Sequence, residues 1–552
     1  MQGVKKLLIA AFMLGSSLMM KSQSVANPIL AGFYPDPSIC KAGNDYYIVN
    51  SSFAYYPGLP LFHSKDLLNW QQVGYALNRP EQLNLDGAGV SRGLFAPAII
   101  YHKGTFYIVC TLIDKLGNFV ITTKDPKDPW SNPIALPQVN GIDPSLFFDE
   151  DEKLYIVYNS IPPNNISMHD GHRTIRMFEL DPQNFKTIGD EKLLINGGTD
   201  MAKKPVWIEG PHLYKKDGWY YLMCAEGGTG YNHSEVIFRS KSVQGPFVSY
   251  DKNPILTQRQ LDPKRKNPVT TTGHADLVEG PDGKWWGVFL GCRPYEGDYY
   301  NTGRETFMAP VEWNNGWPVF NLGADEIKYS YPINAKANNR KEKFSGNYYF
   351  RDEFDKAELN MRYSFLRTVR QQWYSAIDKP GALSIQVRPE TCSEKSNPSF
   401  IGFRQAHLKG YAATSLNFTA TAENEKAGLL IFQSEKNYYY LCKSVKEGKA
   451  VVELYKAQEL LASETIEPKT DKDIFFKIEA RMDKYAFYYT LKKDKWKLLL
   501  DNADGKFLST KGAGGFVGCM YAMYATSNGK ASTNTAQYNW FESRSNDDVY
   551  RK

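Results

Sequence analysis

The chain is poor in cysteine, carries little excess charge of either sign, and has no long apolar run beyond its first two dozen residues. Its seven cysteines (Cys40, Cys110, Cys224, Cys292, Cys392, Cys442 and Cys519) are scattered through 552 residues. Without close pairs or metal-ligand spacing they exclude a disulfide-stapled miniprotein and a zinc module, and they read as buried thiols on strands, with one long-range disulfide left open. The net charge of +6 is small for this length and the basic residues are dispersed, so the basic face of a nucleic-acid binder is missing. No later stretch approaches the roughly 20 apolar residues that cross a bilayer, and no membrane-spanning helix is expected.

What is abundant is aromatic: 14% Phe, Trp and Tyr, with 36 tyrosines and 11 tryptophans. Such side chains suit pleated, half-buried surfaces and offer flat faces to sugar rings, so an all-β, carbohydrate-handling protein leads. At the start, Lys5 and Lys6 precede an apolar run over residues 7–20 and then Lys21-Ser22-Gln23-Ser24. This reads as an export signal over residues 1–24, and no cysteine near its end suggests a lipid anchor; the mature protein is expected to be exported, periplasmic or secreted.

A repeat organises the first three fifths. Five units open at Asp36, Ala96, Asp143, Glu209 and His274, and each gives a short strand, a polar turn and an aromatic-rich strand such as Asp45-Tyr46-Tyr47-Ile48-Val49 or Trp285-Trp286-Gly287-Val288. That is a hairpin signature. Third strands follow in several units and close on Trp70, Trp130 and Phe247. Units recurring every roughly 45–65 residues match propeller blades rather than solenoid coils. The sequence therefore predicts a five-bladed β-propeller over residues 25–325. A polar linker over 326–345 and a sandwich of two antiparallel sheets over 346–552 follow, the latter from closely spaced strands that include 383–387, 427–433, 474–480 and 515–521.

In a propeller the innermost strand of each blade lines the central channel, so the opening residues of the repeat converge. Three carboxylates (Asp36, Asp143, Glu209) and a histidine (His274) are thereby projected into one space. A single Asp-Pro-Ser is a common turn. Two copies in register, Asp36-Pro37-Ser38 and Asp143-Pro144-Ser145, joined by Glu209 at the matching place, point instead to a site, because buried carboxylates need partners or a chemical role. Glycoside hydrolysis supplies such a role for each of them. One carboxyl protonates the leaving oxygen, a second works on the opposite face of the sugar, and a third raises the acid's pKa.

These residues, with the stretches at 27–38, 141–145, 208–212, 225–230, 272–276 and 302–307, resemble glycoside hydrolase family 43, in its β-xylosidase and α-L-arabinofuranosidase group with an appended concanavalin-like β-sandwich. The resemblance runs from Asn27 to the end. It implies that Asp36 is the general base, that Asp143 orients and tunes the acid, and that Glu209 is the general acid of an inverting reaction, with base and acid separated by roughly 6.5–9.5 Å. It further implies that Arg304 binds the terminal sugar, that Phe53 and Phe95 wall its subsite, and that His274 faces a calcium ion through water. Phe95 stands where the family often has tryptophan. No organic cofactor is called for. The substrate implied is a xylo-oligosaccharide or arabinoxylan-type glycan attacked at its end, by a β-D-xylosidase with α-L-arabinofuranosidase activity or primarily by an arabinofuranosidase. A fructosidase is disfavoured by Tyr34-Pro35-Asp36-Pro37-Ser38, and a catalytically silent carbohydrate-binding propeller is the alternative of another class.

Overall fold

A computed structural model describes residues 23–335, 342–467, 473–493 and 495–551. Most of the expected export signal (1–22) and part of the expected linker (336–341) lie outside the described residues. The described chain is nearly all strand, and its first half forms five antiparallel four-stranded blades in sequence order. They begin with Ser38–Ala42, Ala98–His102, Ile142–Phe148, Glu209–Lys216 and Thr270–Glu279; the fourth gains a short extra strand, Leu256–Thr257. Each blade opens with an inner strand and runs outward through successive hairpins, which is the arrangement the fivefold repeat encodes. Trp70 and Trp130, which close two of the third-strand segments, are buried.

The ring is finished by the segments that flank it. Gln23–Ala26 pairs antiparallel with Ser330–Ile333, and Asn27 donates from Nδ2 to Met308 O at 2.8 Å and accepts at Oδ1 from Met308 N at 2.9 Å. The span read as a linker therefore contains a strand. Tyr331 and Ile333 alternate with exposed Ser330 and Pro332, a period-2 pattern too short to stand out among the lysines and asparagines around it. Gln23 and Ser24, read as the end of the export signal, open the partner strand.

The second half packs two eight-stranded antiparallel sheets face to face. One carries Lys409–Asn417, Ile474–Arg481 and Thr535–Ser545; the other carries Lys426–Ser434, Asn437–Lys446 and Met520–Thr526. Alternating residues such as Ile474, Phe476, Ile478 and Ala480 fill the space between them. The strand expected to begin at Gly515 begins at Met520 instead. Gly514 and Gly515 both have positive φ, so residues 514–519 form a loop, whose tip is Phe516. The second sheet ends in the propeller: Tyr55–Tyr56, a short strand lying in the chain between the second and third strands of the first blade, pairs with Phe365–Leu366. All seven cysteines are buried free thiols.

Candidate active site

The residues opening the inner strands are placed by irregular backbone. Asp36, Asp143 and His274 have φ of 49°, 53° and 53°, the left-handed region that costs a non-glycine residue roughly 1–3 kcal/mol. Strand register shifts between Ile142 and Ser145, between Glu209 and His212, and on both sides of Gly273. A bulge re-aims side chains that regular pleating would turn into the blade. Gly210 belongs to this device: its φ is 55°, and a Cβ there would lie 2.8 Å from His274 Nε2. The serines of the two Asp-Pro-Ser segments hold the blades together. Ser38 Oγ donates to Asp276 of the fifth blade at 2.7 Å and accepts from Ile99 N of the second at 3.0 Å, while Ser145 Oγ donates to Pro211 O of the fourth at 2.5 Å.

Asp36, Phe53, Phe95, Asp143, Glu209, His274 and Arg304 all line one cavity of about 310 Å³. That size sits at the small end of ligand pockets, suited to one sugar ring rather than to a polymer laid across an open cleft. Arg304 donates to Asp36, Nη1 to Oδ1 at 3.0 Å and Nη2 to Oδ2 at 3.5 Å, and the Ser51 hydroxyl donates to Asp36 Oδ2. The Gly210 amide donates to the Asp143 carboxyl, so Asp143 is tied to the residue following Glu209.

Three buried carboxyls face a single guanidinium, and they cannot all be charged cheaply. Burial first, and then the charge of Asp36, push Asp143 up to about 8, against Arg304 and the Gly210 amide. Burial first, then Asp143 and then Asp36, push Glu209 well above the usual carboxyl range, against Arg304 and the Trp207 indole that hydrogen-bonds it. Glu209 Oε1 is buried and meets no protein donor or acceptor, a polar atom left for a ligand. The site thus pairs an Arg304-bound Asp36 with a proton-holding Glu209.

Several lining residues escaped the sequence reading. Trp207, Val206, Gly228 and Thr229 also line the cavity, and Phe516 reaches it from the sandwich. Phe516 stacks on Phe53 with ring centroids 5.8 Å apart and interplanar angle 21°; its amide donates to Ser91 Oγ at 2.9 Å. Arg304 lies 5.5 Å from its ring centroid. Thr229 and Gly228 fell within a stretch carrying the resemblance; Phe516, 480 residues from Asp36 in the chain, had no local signal beyond its flanking glycines.

His274 is buried, and burial lowers its pKa to about 4, leaving a neutral imidazole. Among the described residues no group of three His, Cys, Asp or Glu is disposed to hold a metal. A calcium ion favours six to eight oxygen ligands, so these residues do not form a direct cation cage, and His274 suits only contact through water.

Residues 25–318 match the family model described as glycosyl hydrolases family 43, and residues 351–544 match that of the beta xylosidase C-terminal concanavalin A-like domain. The chain is 40% identical to a xylosidase/arabinosidase of Butyrivibrio fibrisolvens over 93% of its own length and 98% of the relative's. It is 37% identical to a non-reducing end alpha-L-arabinofuranosidase of Bacteroides ovatus over 98% of both. A crystal structure of a GH43_12 protein retrieved from a capybara gut metagenome superposes with a TM-score of 0.85 at 41% identity, covering 92% of this chain and 96% of that one.

Proposed function

The chain belongs to glycosyl hydrolases family 43 and is a glycosidase, and from that premise we propose that it releases terminal pentoses from hemicellulose oligosaccharides by a single inverting displacement. Asp36 takes a proton from water as the water oxygen bonds to the anomeric carbon. Glu209 gives its proton to the glycosidic oxygen as that bond breaks, and the sugar leaves with inverted configuration. Asp143 keeps the acid's backbone in place through the Gly210 amide and, where it is ionised, raises the pKa of Glu209 by its charge. Arg304 orients Asp36 and reaches the sugar; Phe53, Phe95 and Phe516 supply its apolar walls.

The observation that carries this reading is the meeting of Asp36, Asp143, Glu209 and Arg304 in one cavity with the Glu209 proton held by burial and by two neighbouring acids. The wall that Phe516 of the sandwich adds to the cavity supports attack at chain ends. The names of the relatives above support β-D-xylosidase and α-L-arabinofuranosidase activities in one pocket, since both sugars present similar hydroxyls. The test is turnover of nitrophenyl β-xyloside and α-arabinofuranoside, with the anomer of the product followed by NMR. Glu209→Gln is expected to lower kcat/KM on xylobiose by about 10²–10⁴-fold, and less on the nitrophenyl glycosides, whose leaving groups need no proton. Undiminished xylobiose hydrolysis would remove Glu209 as the acid, and pentose binding without turnover would favour a sugar-binding protein.

Two further proposals rest on the sequence. The segment at residues 1–24 exports the protein, and secretion of an intact fusion tests it. A hydrated calcium ion contacts His274 in the channel; it supplies charge and rigidity there, and no catalytic step runs through it. Calcium added to chelator-treated protein is expected to raise the unfolding temperature, and an unchanged temperature counts against the ion.

A further inference from the structure

Arg304 lies in a segment, residues 301–305, that the sandwich holds from both ends. On one side, Cys519 N donates to Asn301 O at 2.8 Å, and Asn301 Nδ2 donates to Tyr485 Oη at 2.9 Å and to Gly505 O at 3.1 Å. Gly303 lies so close to the loop of Phe516 that a Cβ on it would stand 2.7 Å from Gly518 N, and its φ is 75°. On the other side is Glu305, whose carboxylate is fully buried and does not line the sugar cavity.

Glu305 is held by a fork. Arg293 Nε donates to its Oε2 at 2.6 Å and Arg293 Nη2 to its Oε1 at 2.9 Å. Gly32 N and Thr302 Oγ1 complete its hydrogen bonds at 2.6 and 3.1 Å. The same guanidinium crosses the domain boundary: Nη1 donates to Asp547 Oδ2 at 2.7 Å and Nη2 to Ala406 O at 2.8 Å. Asp547 is in turn fixed by Lys409 N at its Oδ1, 2.8 Å, and by Asn347. Both carboxylates and the guanidinium are buried, where a charge left without its partner is far costlier than on the surface, and only a planar fork satisfies two carboxylates at once.

We propose that Asp547, through Arg293 and Glu305, is a positioning residue for Arg304, so that the last residues of the sandwich set how the propeller holds its base and its sugar. The inference rests on the hydrolase reading for the role of Arg304. The chain Asp547–Arg293–Glu305 ends one peptide bond from the residue whose guanidinium binds Asp36, and the opposite anchor at Asn301 stops the segment from relaxing away. A packing role alone would show only in stability.

The test is a double-mutant cycle on the full chain, assayed well below the unfolding temperature of each variant. Asp547→Asn keeps the shape and removes the charge; it is expected to lower kcat/KM on nitrophenyl xyloside about tenfold and to weaken inhibition by free xylose similarly. In an Arg304→Lys background the same change is expected to cost less than about twofold, because coupled residues are not additive. Asp547→Glu, which keeps the charge, is expected to recover part of the loss; should the Asn variant fail to fold, the Glu variant carries the cycle with a smaller effect. Wild-type kinetics in Asp547→Asn, or equal losses in both backgrounds, overturn the proposal. If the wild type hydrolyses neither pentoside, the hydrolase reading fails, and the cycle is then run on xylose and arabinose affinity by calorimetry. Equal or absent effects there overturn the positioning role by themselves.

Discussion

Asp143 is in conflict between stability and chemistry. Its carboxyl, ordinarily near 3.8, is pushed up to about 8 by burial and by Asp36. A raised folded-state value means that the native protein binds more protons than the unfolded chain between those limits. The stability associated with this group is therefore complete below about 4 and is lost as pH rises toward 8. Asp143→Asn is expected to unfold at a higher temperature than the wild type at pH 8, with the gap closing near pH 4 in scanning calorimetry. Activity moves the other way. On the alkaline limb, where Asp143 is ionised, removing it lets Glu209 lose its proton at lower pH, so that limb of the kcat/KM profile shifts down and kcat falls about 10²-fold; an unmoved limb would show that Asp143 does not tune the acid. Asp36, Asp143 and Glu209 were legible in the sequence because the repeat assigns them one register position. Arg304 became a candidate through family resemblance alone, since its segment lies between strands and has no counterpart in the other blades.

At the scale of elements, two irregular pieces make the site: the bulges that open the inner strands and the loop that carries Phe516. Strand existence was readable from aromatic alternation, as in Asp45–Val49 and Trp285–Cys292. The bulges were not, because an extra unpaired residue leaves no mark in a hydrophobic pattern. The loop at 514–519 misled for a related reason: Phe516 and Val517 look like the start of a strand, while the paired positive φ values at Gly514 and Gly515 turn the chain toward the propeller. Phe516→Ala deletes a ring stacked on Phe53 and facing Arg304. It is expected to raise KM for nitrophenyl xyloside about tenfold with kcat within about threefold, the signature of lost uniform binding. A fall in kcat alone would instead assign the ring to the chemical step.

At the scale of the molecule, propeller and sandwich are joined by a sheet and a core. They share a sheet through Tyr55–Tyr56 and Phe365–Leu366. One hydrophobic cluster joins Phe33, Phe53 and Tyr55 of the propeller to Phe400, Phe432 and Met520 of the sandwich. Heating is therefore expected to give one cooperative transition, and two endotherms separated by more than about 10 °C would contradict the shared core. Truncation after residue 335 is expected to leave an aggregating, inactive propeller, because it exposes that cluster and an unpaired strand edge. The sequence by itself determined the blade count, the sandwich, and which three acids meet, because a repeated hairpin brings equivalent positions to one axis. Only the tertiary structure decided which sandwich residue walls the cavity and what holds Arg304: those contacts join segments hundreds of residues apart, and nothing periodic in either segment records the other.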